Sequence, residues 1–218
     1  MPDIDDVTII RLACSKLCHD LISPVSAVNN GLELVGDSPG GDPEAMDLIT
    51  SSARAAADRL QFYRVAFGFS GGSGQSLDAL RSLLKPLVAD AKCESEWQID
   101  PAVAQSVLSL DSAQIVLNAV AIGLDCLPRS GQVGVVLGPA DSGRLKLTVD
   151  IHGPSVRIRE EVSRTLSAPL KQTELSVRAI HAILLRMVAA RVRSDVEFSA
   201  VDSRVMLTVA SIPGTVDA

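Results

Sequence analysis

The sequence predicts an α + α/β protein, in which an N-terminal antiparallel helical hairpin is followed by an α/β sandwich. The first observation is that apolar residues before position 68 recur at the three- and four-residue steps of amphipathic helices. The second is the run GFSGGSG at positions 68–74, after which helical and strand patterns are mixed. We therefore predict a helical domain over residues 1–70 and an α/β domain over residues 75–218.

The helical domain is predicted to contain two helices. Residues 5–35 form one long helix with a bend at Pro24, because proline removes a backbone donor inside a helix. The turn GDSPGGDP follows, and it ends with Asp42 as the N-cap and Pro43 at the first helical position of the second helix. The apolar residues of the second helix follow one another in a seam: Met46, Ile49, Ala53, Ala56, Leu60, Tyr63 and Phe67.

This seam predicts the oligomeric state. A hairpin of two helices leaves its apolar seam half exposed. Pairing with an identical copy buries the seam in a four-helix bundle. We therefore expect a homodimer.

The α/β domain is predicted from changes in the hydrophobic period along the chain. Helices are expected at 76–91, 110–126 and 173–192, with short helical turns at 158–167. Strands are expected at 94–99, 132–138, 144–151, 195–200 and 204–211. The sheet should be mostly antiparallel.

Charge and composition argue against several classes of function. The formal net charge of −6 argues against nucleic acid as a partner, because such binding uses clustered Lys and Arg. The first residues, MPDIDDVTII, carry acids where a signal peptide has bases, and no apolar run approaches the roughly 20 residues that span a bilayer. We therefore expect a cytoplasmic protein that is not attached to a membrane and whose partners are proteins or small molecules.

The cysteines give no sign of a metal site. Their spacing lacks the pairs typical of metal ligands, and the expected compartment keeps thiols reduced. Buried thiols are therefore expected at Cys14, Cys18, Cys93 and Cys126.

The polar face of the first helix carries a single histidine, His19. Successive residues of a helix turn by about 100°, so positions three, four and seven apart share a face. The polar neighbours of His19 on that face are Ser15, Lys16, Ser23, Ser26 and Asn30. This stripe predicts a docking surface for an anionic group, although a solvated histidine without a function is the alternative interpretation.

The residue types around His19 suit phosphoryl transfer. A neutral imidazole nitrogen is a good nucleophile toward an activated phosphoryl group. Asp20 can hold or polarise the ring, and Lys16 can offset the charge of the phosphoryl group. Ser23 can hydrogen-bond the phosphoryl oxygens or orient water. We therefore predict His19, Asp20 and Ser23 as the catalytic residues.

A family resemblance supports this interpretation. The stretch His19-Asp20-Leu21-Ile22-Ser23-Pro24 resembles the histidine box of sensor kinases. The segments CHDLISPVSAVNNGLELV and SSARAAADRLQFYRVAFG resemble the ChpT family of alphaproteobacterial histidine phosphotransferases, and the resemblance extends loosely over the whole chain. It implies a dimeric four-helix bundle followed by a histidine-kinase-ATPase-like α/β sandwich that has lost nucleotide binding. It also implies that His19 is the phospho-acceptor in a relay from the receiver domain of a hybrid histidine kinase to the receiver domains of cell-cycle response regulators.

The nucleotide motifs of a kinase are degenerate in this chain. Asn118 matches the first asparagine of the kinase asparagine box, but Ile122 stands where the second is expected. VDIHGPSV resembles the kinase box V-x-D-N-G-P-G-I, with Ile151 in place of the adenine-reading aspartate, and APLK at 168–171 replaces a glycine loop. We therefore expect transfer without ATP, no cofactor on this chain, and the magnesium ion on the partner receiver domain.

Two other functions stay open at this stage. One is an ATP-dependent histidine kinase without its sensor, against which the missing motifs count. The other is a non-catalytic adaptor that docks receiver domains, against which the intact histidine box counts. For the phosphotransferase interpretation, the residues expected to contact a receiver domain are Lys16, Ser23, Ser26 and Asn30, with Arg54 or Arg64 of the second helix.

Overall fold

The N-terminal part of the molecule is the predicted antiparallel hairpin. The structure is a computed structural model that describes residues 5–37, 42–68 and 74–214. Helix α1 spans Asp6–Asp37 and helix α2 spans Pro43–Ala66. The middle of the predicted turn and most of the glycine-rich run, which carries the predicted domain boundary, lie outside the described residues.

The start of α2 follows from local capping. The Asp42 carboxylate accepts hydrogen bonds from the backbone N–H groups of Glu44 and Ala45, at 2.9 and 3.3 Å. Pro43 occupies the first turn, where a missing N–H costs nothing. Helix α1 continues through Pro24 as a single element, while the predicted bend there stays a prediction.

The rest of the chain forms the α/β part. Its helices are α3 (Leu77–Asp90), α4 (Leu110–Asp125), α5 (Glu160–Ser167) and α6 (Ile180–Arg191). Its strands are β1 (Gln75–Ser76), β2 (Glu94–Ile99), β3 (Val107–Leu108), β4 (Gln132–Pro139), β5 (Leu145–His152), β6 (Val196–Val201) and β7 (Arg204–Ile212). Short 3-10 turns lie at 101–103, 141–143, 172–174 and 177–179.

The main sheet is mostly antiparallel, as the sequence predicts. Within the described residues its strand order is β2-β4-β5-β7-β6. Strands β2 and β4 pair in parallel, and the other neighbours pair antiparallel. The two-residue strands β1 and β3 form a separate antiparallel pair, which the sequence pattern did not indicate.

The core lies between one face of this sheet and the helices α4 and α6. Alternate residues of β5 are buried, because a strand presents every second side chain to one face: Leu145, Leu147, Val149 and Ile151. Helix α4 contacts β4, β5 and α6 and is buried continuously from Ser112 to Leu124. A helix inside a domain is mostly apolar on all sides, and the buried amides of Gln114 and Asn118 are exceptions that have hydrogen-bond partners.

Two expectations about the helices of the α/β part were wrong in detail. The predicted helix at 173–192 is an α-helix only from Ile180. Leu175 and Ser176 have extended backbones that separate a first 3-10 turn at 172–174 from a second at 177–179, which leads directly into α6. Apolar spacing does not distinguish a helix from consecutive short turns that bury the same side chains. The predicted turns at 158–167 contain the regular helix α5.

Some of the cysteines are less buried than predicted, and the seam of α2 is partly exposed in the single chain. Cys126 is buried and Cys93 is half-buried, but Cys14 and Cys18 are exposed on α1. In α2, Tyr63 is buried, whereas Met46 and Leu60 are 51% and 48% exposed. The physical reason is the same in both helices, since a hairpin has one face that a single chain does not cover.

Helix α4 ties the hairpin to the α/β part through the end of α2. The last carbonyl groups of a helix have no partners within the helix. Here the side-chain amide of Gln114 donates to the carbonyl oxygens of Val65 and Gly68, at 3.3 and 2.8 Å. The amide of the fully buried Asn118 donates to the carbonyl oxygen of Ala66 at 3.0 Å. These bonds fix the C-terminal end of α2 on the core.

Among the residues that the structure describes, no helix is both long and apolar enough to cross a membrane.

Replacing Asn118 by Ala tests this junction. The change leaves the buried carbonyl of Ala66 and the ring of His181 without their partner, so we expect the free energy of unfolding to fall by about 2 kcal/mol or more. Urea denaturation measures this loss. Ser51→Ala is the control, because Ser51 is exposed and its hydroxyl donates only to the carbonyl oxygens of its own helix, so a change within about 0.5 kcal/mol is expected. Equal stability of the two variants would show that the junction does not depend on Asn118.

Candidate phosphotransfer site

His19 lies at the mouth of a cleft formed by the hairpin and the α/β part. Its side chain is 82% exposed. The cleft has a volume of about 440 Å³ and is lined by residues of α1, α2, α3, α4 and α6. A partner protein can therefore reach the imidazole directly.

Asp20 orients the His19 ring. One carboxylate oxygen of Asp20, Oδ1, lies 3.0 Å from His19 Nδ1. An ionised carboxylate only accepts hydrogen bonds, so Nδ1 carries the proton in this contact. In the neutral ring, Nε2 then keeps its lone pair. The geometry therefore leaves Nε2 as the nucleophilic atom of His19.

Several donors keep Asp20 ionised. Its side chain is only 20% exposed, and this desolvation raises the pKa of the carboxyl group. Hydrogen bonds from Tyr63, His19 and Lys16 outweigh that effect, so the pKa of Asp20 lies below its ordinary value. Lys16 Nζ lies 3.0 Å from Oδ2 and 3.2 Å from Oδ1, and the Tyr63 hydroxyl donates to Oδ2.

The backbone of Asp20 is held by Arg59. Pro24 has no N–H group, so the Asp20 carbonyl lacks the donor that a helix normally supplies four residues later. The Arg59 guanidinium donates to this carbonyl from α2. Its other terminal nitrogen lies 3.1 Å from a carboxylate oxygen of Asp90 in α3. Arg59 thus compensates for the proline of the histidine box.

Tyr63 is fixed by an aromatic cluster. Its residue is 5% exposed, and its ring lies nearly parallel to the His181 ring, with centroids 6.2 Å apart. Nδ1 of His181 bonds Oδ1 of Asn118 at 2.9 Å, and desolvation lowers the pKa of His181 to about 3, so this ring stays neutral. Burial, followed by the nearby Asp20, raises the pKa of Tyr63, so its hydroxyl stays protonated and acts as a donor.

The structure brings together only some of the residues that the sequence singles out. Lys16, His19, Asp20 and Ser23 line one cleft. Ser26 and Asn30 are exposed farther along α1 and do not line it.

The basic residue that α2 contributes to the cleft is Arg59, rather than Arg54 or Arg64. Both of the latter are exposed on α2. Sequence reasoning missed Arg59 and placed Tyr63 only in the apolar seam. Two signals were available: the proline leaves one carbonyl without a donor, and Arg59 and Tyr63 share a face of α2.

The residues at the positions of the kinase nucleotide motifs are either buried in the core or hydrogen-bonded to other parts of the chain. Between α4, α5 and α6 only about 10 Å³ of space is left, beside Ile122 and His181. Ile151 is fully buried. The side-chain amide of Asn118 donates hydrogen bonds to the carbonyl oxygens of Ala66 and Gln114, at 3.0 and 2.8 Å. These residues do not fit a magnesium-nucleotide site, because the chain offers neither the second amide ligand nor the adenine-reading carboxylate there.

Comparison with known proteins places the chain in a family. A family model described as the histidine phosphotransferase C-terminal domain matches residues 77–204. The chain belongs to the histidine phosphotransferase family. The phosphotransferase is 38% identical over 149 residues to the protein phosphotransferase ChpT of Brucella abortus (strain 2308), a match that covers 67% of this chain and 68% of the relative. These findings confirm the ChpT-type resemblance and the predicted activity, histidine phosphotransfer in a phosphorelay.

Solved structures confirm the fold of the phosphotransferase. A bacterial phosphotransferase structure matches with a TM-score of 0.81 and 27% identity, covering 94% of this chain and 97% of the other. The Acinetobacter baumannii histidine kinase AdeS matches with a TM-score of 0.50 and 10% identity, covering 89% of this chain and 97% of the other. The second likeness shows only that the fold is that of histidine kinases.

Replacing Arg59 by Met in the phosphotransferase tests its contact with the Asp20 carbonyl. The change leaves a half-buried carbonyl without a donor, so we expect the free energy of unfolding to fall by about 1–3 kcal/mol. Arg54→Met is the matched control, since Arg54 is exposed on the same helix and is expected to change stability by less than about 0.5 kcal/mol. Thermal or urea denaturation distinguishes the two. A loss of the same size in both variants would mean that Arg59 contributes only through helix propensity or net charge.

Proposed function

We propose that the chain accepts a phosphoryl group on His19 from the receiver domain of a hybrid histidine kinase and passes it to receiver aspartates of response regulators in the cytoplasm. The observation that carries this proposal is the pairing of an exposed imidazole with a shielded carboxylate. The carboxylate of Asp20 holds Nδ1, and Nε2 faces the medium from which a partner arrives with its phosphoryl group.

The step has a simple atomic balance. The lone pair of His19 Nε2 attacks the phosphorus of an aspartyl phosphate in line with the leaving carboxylate. An N–P bond forms, the P–O bond to the partner's aspartate breaks, and that aspartate leaves as a carboxylate. The imidazole becomes positively charged during the transfer, and the ionised Asp20 beside Nδ1 stabilises that charge. Attack by a second receiver aspartate on phosphorus reverses these bond changes and frees His19.

This chain is proposed to work without ATP and without a cofactor of its own. Two observations support the absence of ATP binding. Ile122 and Ile151 are buried where a kinase has polar nucleotide ligands, and the amide of Asn118 is hydrogen-bonded to the carbonyl oxygen of Ala66. The phosphoryl donor is then a partner protein, and the magnesium ion that balances phosphoryl charge is expected on the receiver domain. Transfer between protein side chains mostly needs positioning and charge balance, which the cleft around His19 supplies.

The receiver domain is proposed to dock beside His19 on α1. Ser23 lines the cleft, and Ser26 and Asn30 continue the exposed polar face. Lys16 is paired with Asp20, so its charge acts on the phosphoryl group in combination with that carboxylate. Contacts of a receiver with Arg54 and Arg64 of α2 stay a prediction.

A homodimer through the hairpin completes the proposal. Exposed apolar side chains follow α1 and α2 at helical spacing on the face that a single chain leaves uncovered: Val7, Ile10, Ile22, Val25 and Leu32 on α1, and Met46 and Leu60 on α2. The exposed Cys14 and Cys18 lie at the same spacing on α1. A stripe of this kind is buried when two hairpins form a four-helix bundle.

Phosphate labelling tests the acceptor. The protein is offered labelled ATP alone, and then a receiver domain phosphorylated by its hybrid kinase. We expect label only in the second case, with its loss in His19→Ala, because the substitution removes the nucleophile at an exposed position and leaves the fold intact. Circular dichroism of the variant confirms folding.

Each other labelling result contradicts one part of the proposal. Label from ATP alone would indicate a kinase. Label that persists in the variant would place the acceptor elsewhere. A folded wild-type protein that binds phosphorylated receivers but never takes label would indicate an adaptor.

The oligomeric state is tested at Leu60. Leu60→Arg places a charge in the uncovered apolar stripe, where a partner hairpin would desolvate it. We expect a monomer by light scattering, whereas the wild type should be a dimer. The control is Gln61→Arg, at an exposed position one residue along α2 and off the stripe, which should stay dimeric. A wild-type monomer would rule out the dimer.

A further inference from the structure

We propose that Tyr63 is a positioning residue for phosphoryl transfer, which acts through Asp20 to orient the ring of His19. This inference rests on the proposed role of His19 as the acceptor. It deepens that role by naming a residue of α2 that touches neither the phosphoryl group nor the partner.

The contacts form a chain from Tyr63 to the reacting ring. The Tyr63 hydroxyl donates to Oδ2 of Asp20, and Oδ1 of the same carboxylate lies 3.0 Å from His19 Nδ1. Rotation of a carboxylate about its last side-chain bond is nearly free in the absence of donors. A donor on Oδ2 therefore decides which oxygen faces the imidazole, and at what angle.

Tyr63 is itself immobile enough to serve as this reference. Its ring contacts Phe62 edge-on with centroids 5.2 Å apart, and lies 4.7 Å from the ring of Phe67. On a third side it stacks on the buried His181, which Asn118 holds. The hydroxyl is thus tied, through packed rings and one hydrogen bond, to helices α4 and α6 of the core.

Lys16 does not replace this function. Its ammonium group lies within 3.2 Å of both oxygens of Asp20, so it favours neither. It also lies on a flexible side chain of α1, the helix that carries His19. Tyr63 is held by another helix, so its hydroxyl fixes the carboxylate relative to the core.

The main chain of Asp20 is held from the same helix face. Arg59 lies one turn before Tyr63 on α2 and donates to the Asp20 carbonyl that Pro24 leaves without a helical partner. Both ends of Asp20 are therefore bound by α2. With the backbone held in this way, loss of the Tyr63 hydroxyl changes the orientation of the carboxylate while its position is kept.

The test is the variant Tyr63→Phe, which removes the hydroxyl and keeps the ring in its aromatic cluster. Phosphotransfer is measured over a range of concentrations of phosphorylated receiver domain. We expect the maximal rate to fall by about tenfold, because the imidazole is no longer held in one orientation. The concentration of receiver at half-maximal rate should change by less than about twofold, since Tyr63 is buried and offers almost no surface to a partner.

A direct readout of the ring needs no partner. In the wild type, nitrogen-15 spectra of His19 should show the neutral tautomer with the proton on Nδ1, and Tyr63→Phe should mix in the other tautomer. Tyrosine occurs once in this chain, so fluorotyrosine incorporation labels Tyr63 alone in a folded, otherwise unchanged protein. Its fluorine signal should shift on Asp20→Asn, because that change replaces the acceptor of its hydroxyl.

A double-mutant cycle separates action through Asp20 from any independent effect. If Tyr63 acts through Asp20, then Tyr63→Phe has no further effect on the rate in an Asp20→Asn background. Ser51→Ala, which removes a hydroxyl from α2 far from this cleft, should leave the rate unchanged.

The inference would be overturned if the two substitutions lowered the rate independently, so that the loss in the double variant equalled the product of the two single losses. It would also be overturned if Tyr63→Phe raised the half-maximal receiver concentration and left the maximal rate unchanged. An unaltered tautomer or an unmoved fluorine signal would do the same. A wild-type protein that takes no label on His19 would refute the proposed function instead, and the tautomer would still decide whether Tyr63 orients the ring.

Discussion

The arrangement at His19 depends on how helix α2 holds Asp20. A carboxylate that is only 20% exposed is costly to bury unless donors surround it. Tyr63 and Lys16 supply these donors to the carboxylate, and Arg59 supplies one to the carbonyl. Because Pro24 removes a helical donor at the turn that carries His19, the contacts of Arg59 and Tyr63 from α2 hold the backbone of this turn and keep the carboxylate in place.

The α/β part contributes by fixing α2. Gln114 and Asn118 of α4 bond the last carbonyl groups of α2, and His181 of α6 packs against Tyr63. Asn118 aligns with a kinase residue that serves nucleotide binding, yet in this chain its amide joins the hairpin to the core. A continuous set of contacts therefore runs from α4 and α6 through α2 to Asp20 and His19.

The sequence was sufficient for features that depend on local pattern. The hairpin, the Asp42 cap, the strands from β4 to β7 and the polar stripe at His19 follow from short-range periodicity. Arg59 and Tyr63 could not be placed at Asp20 in this way, since the rotation of α2 against α1 depends on packing between residues that are distant in sequence. The exposure of Cys14 and Cys18 could not be predicted either. Spacing alone does not tell which apolar face of a helix a single chain covers.

Two adjacent residues of α1 differ in their exposure to water: the His19 ring is exposed and the Asp20 carboxylate is shielded. His19 is 82% exposed, as a ring must be if a second protein is to reach it, whereas Asp20 is largely withdrawn from water. A hydrogen bond to a withdrawn carboxylate is stronger than one to a solvated carboxylate, because less water competes for it. Side chains 100° apart on a helix allow both conditions in neighbouring residues, provided that another helix covers the second one. That requirement explains why the acceptor lies where α2 and the core meet α1, rather than at the free end of the hairpin.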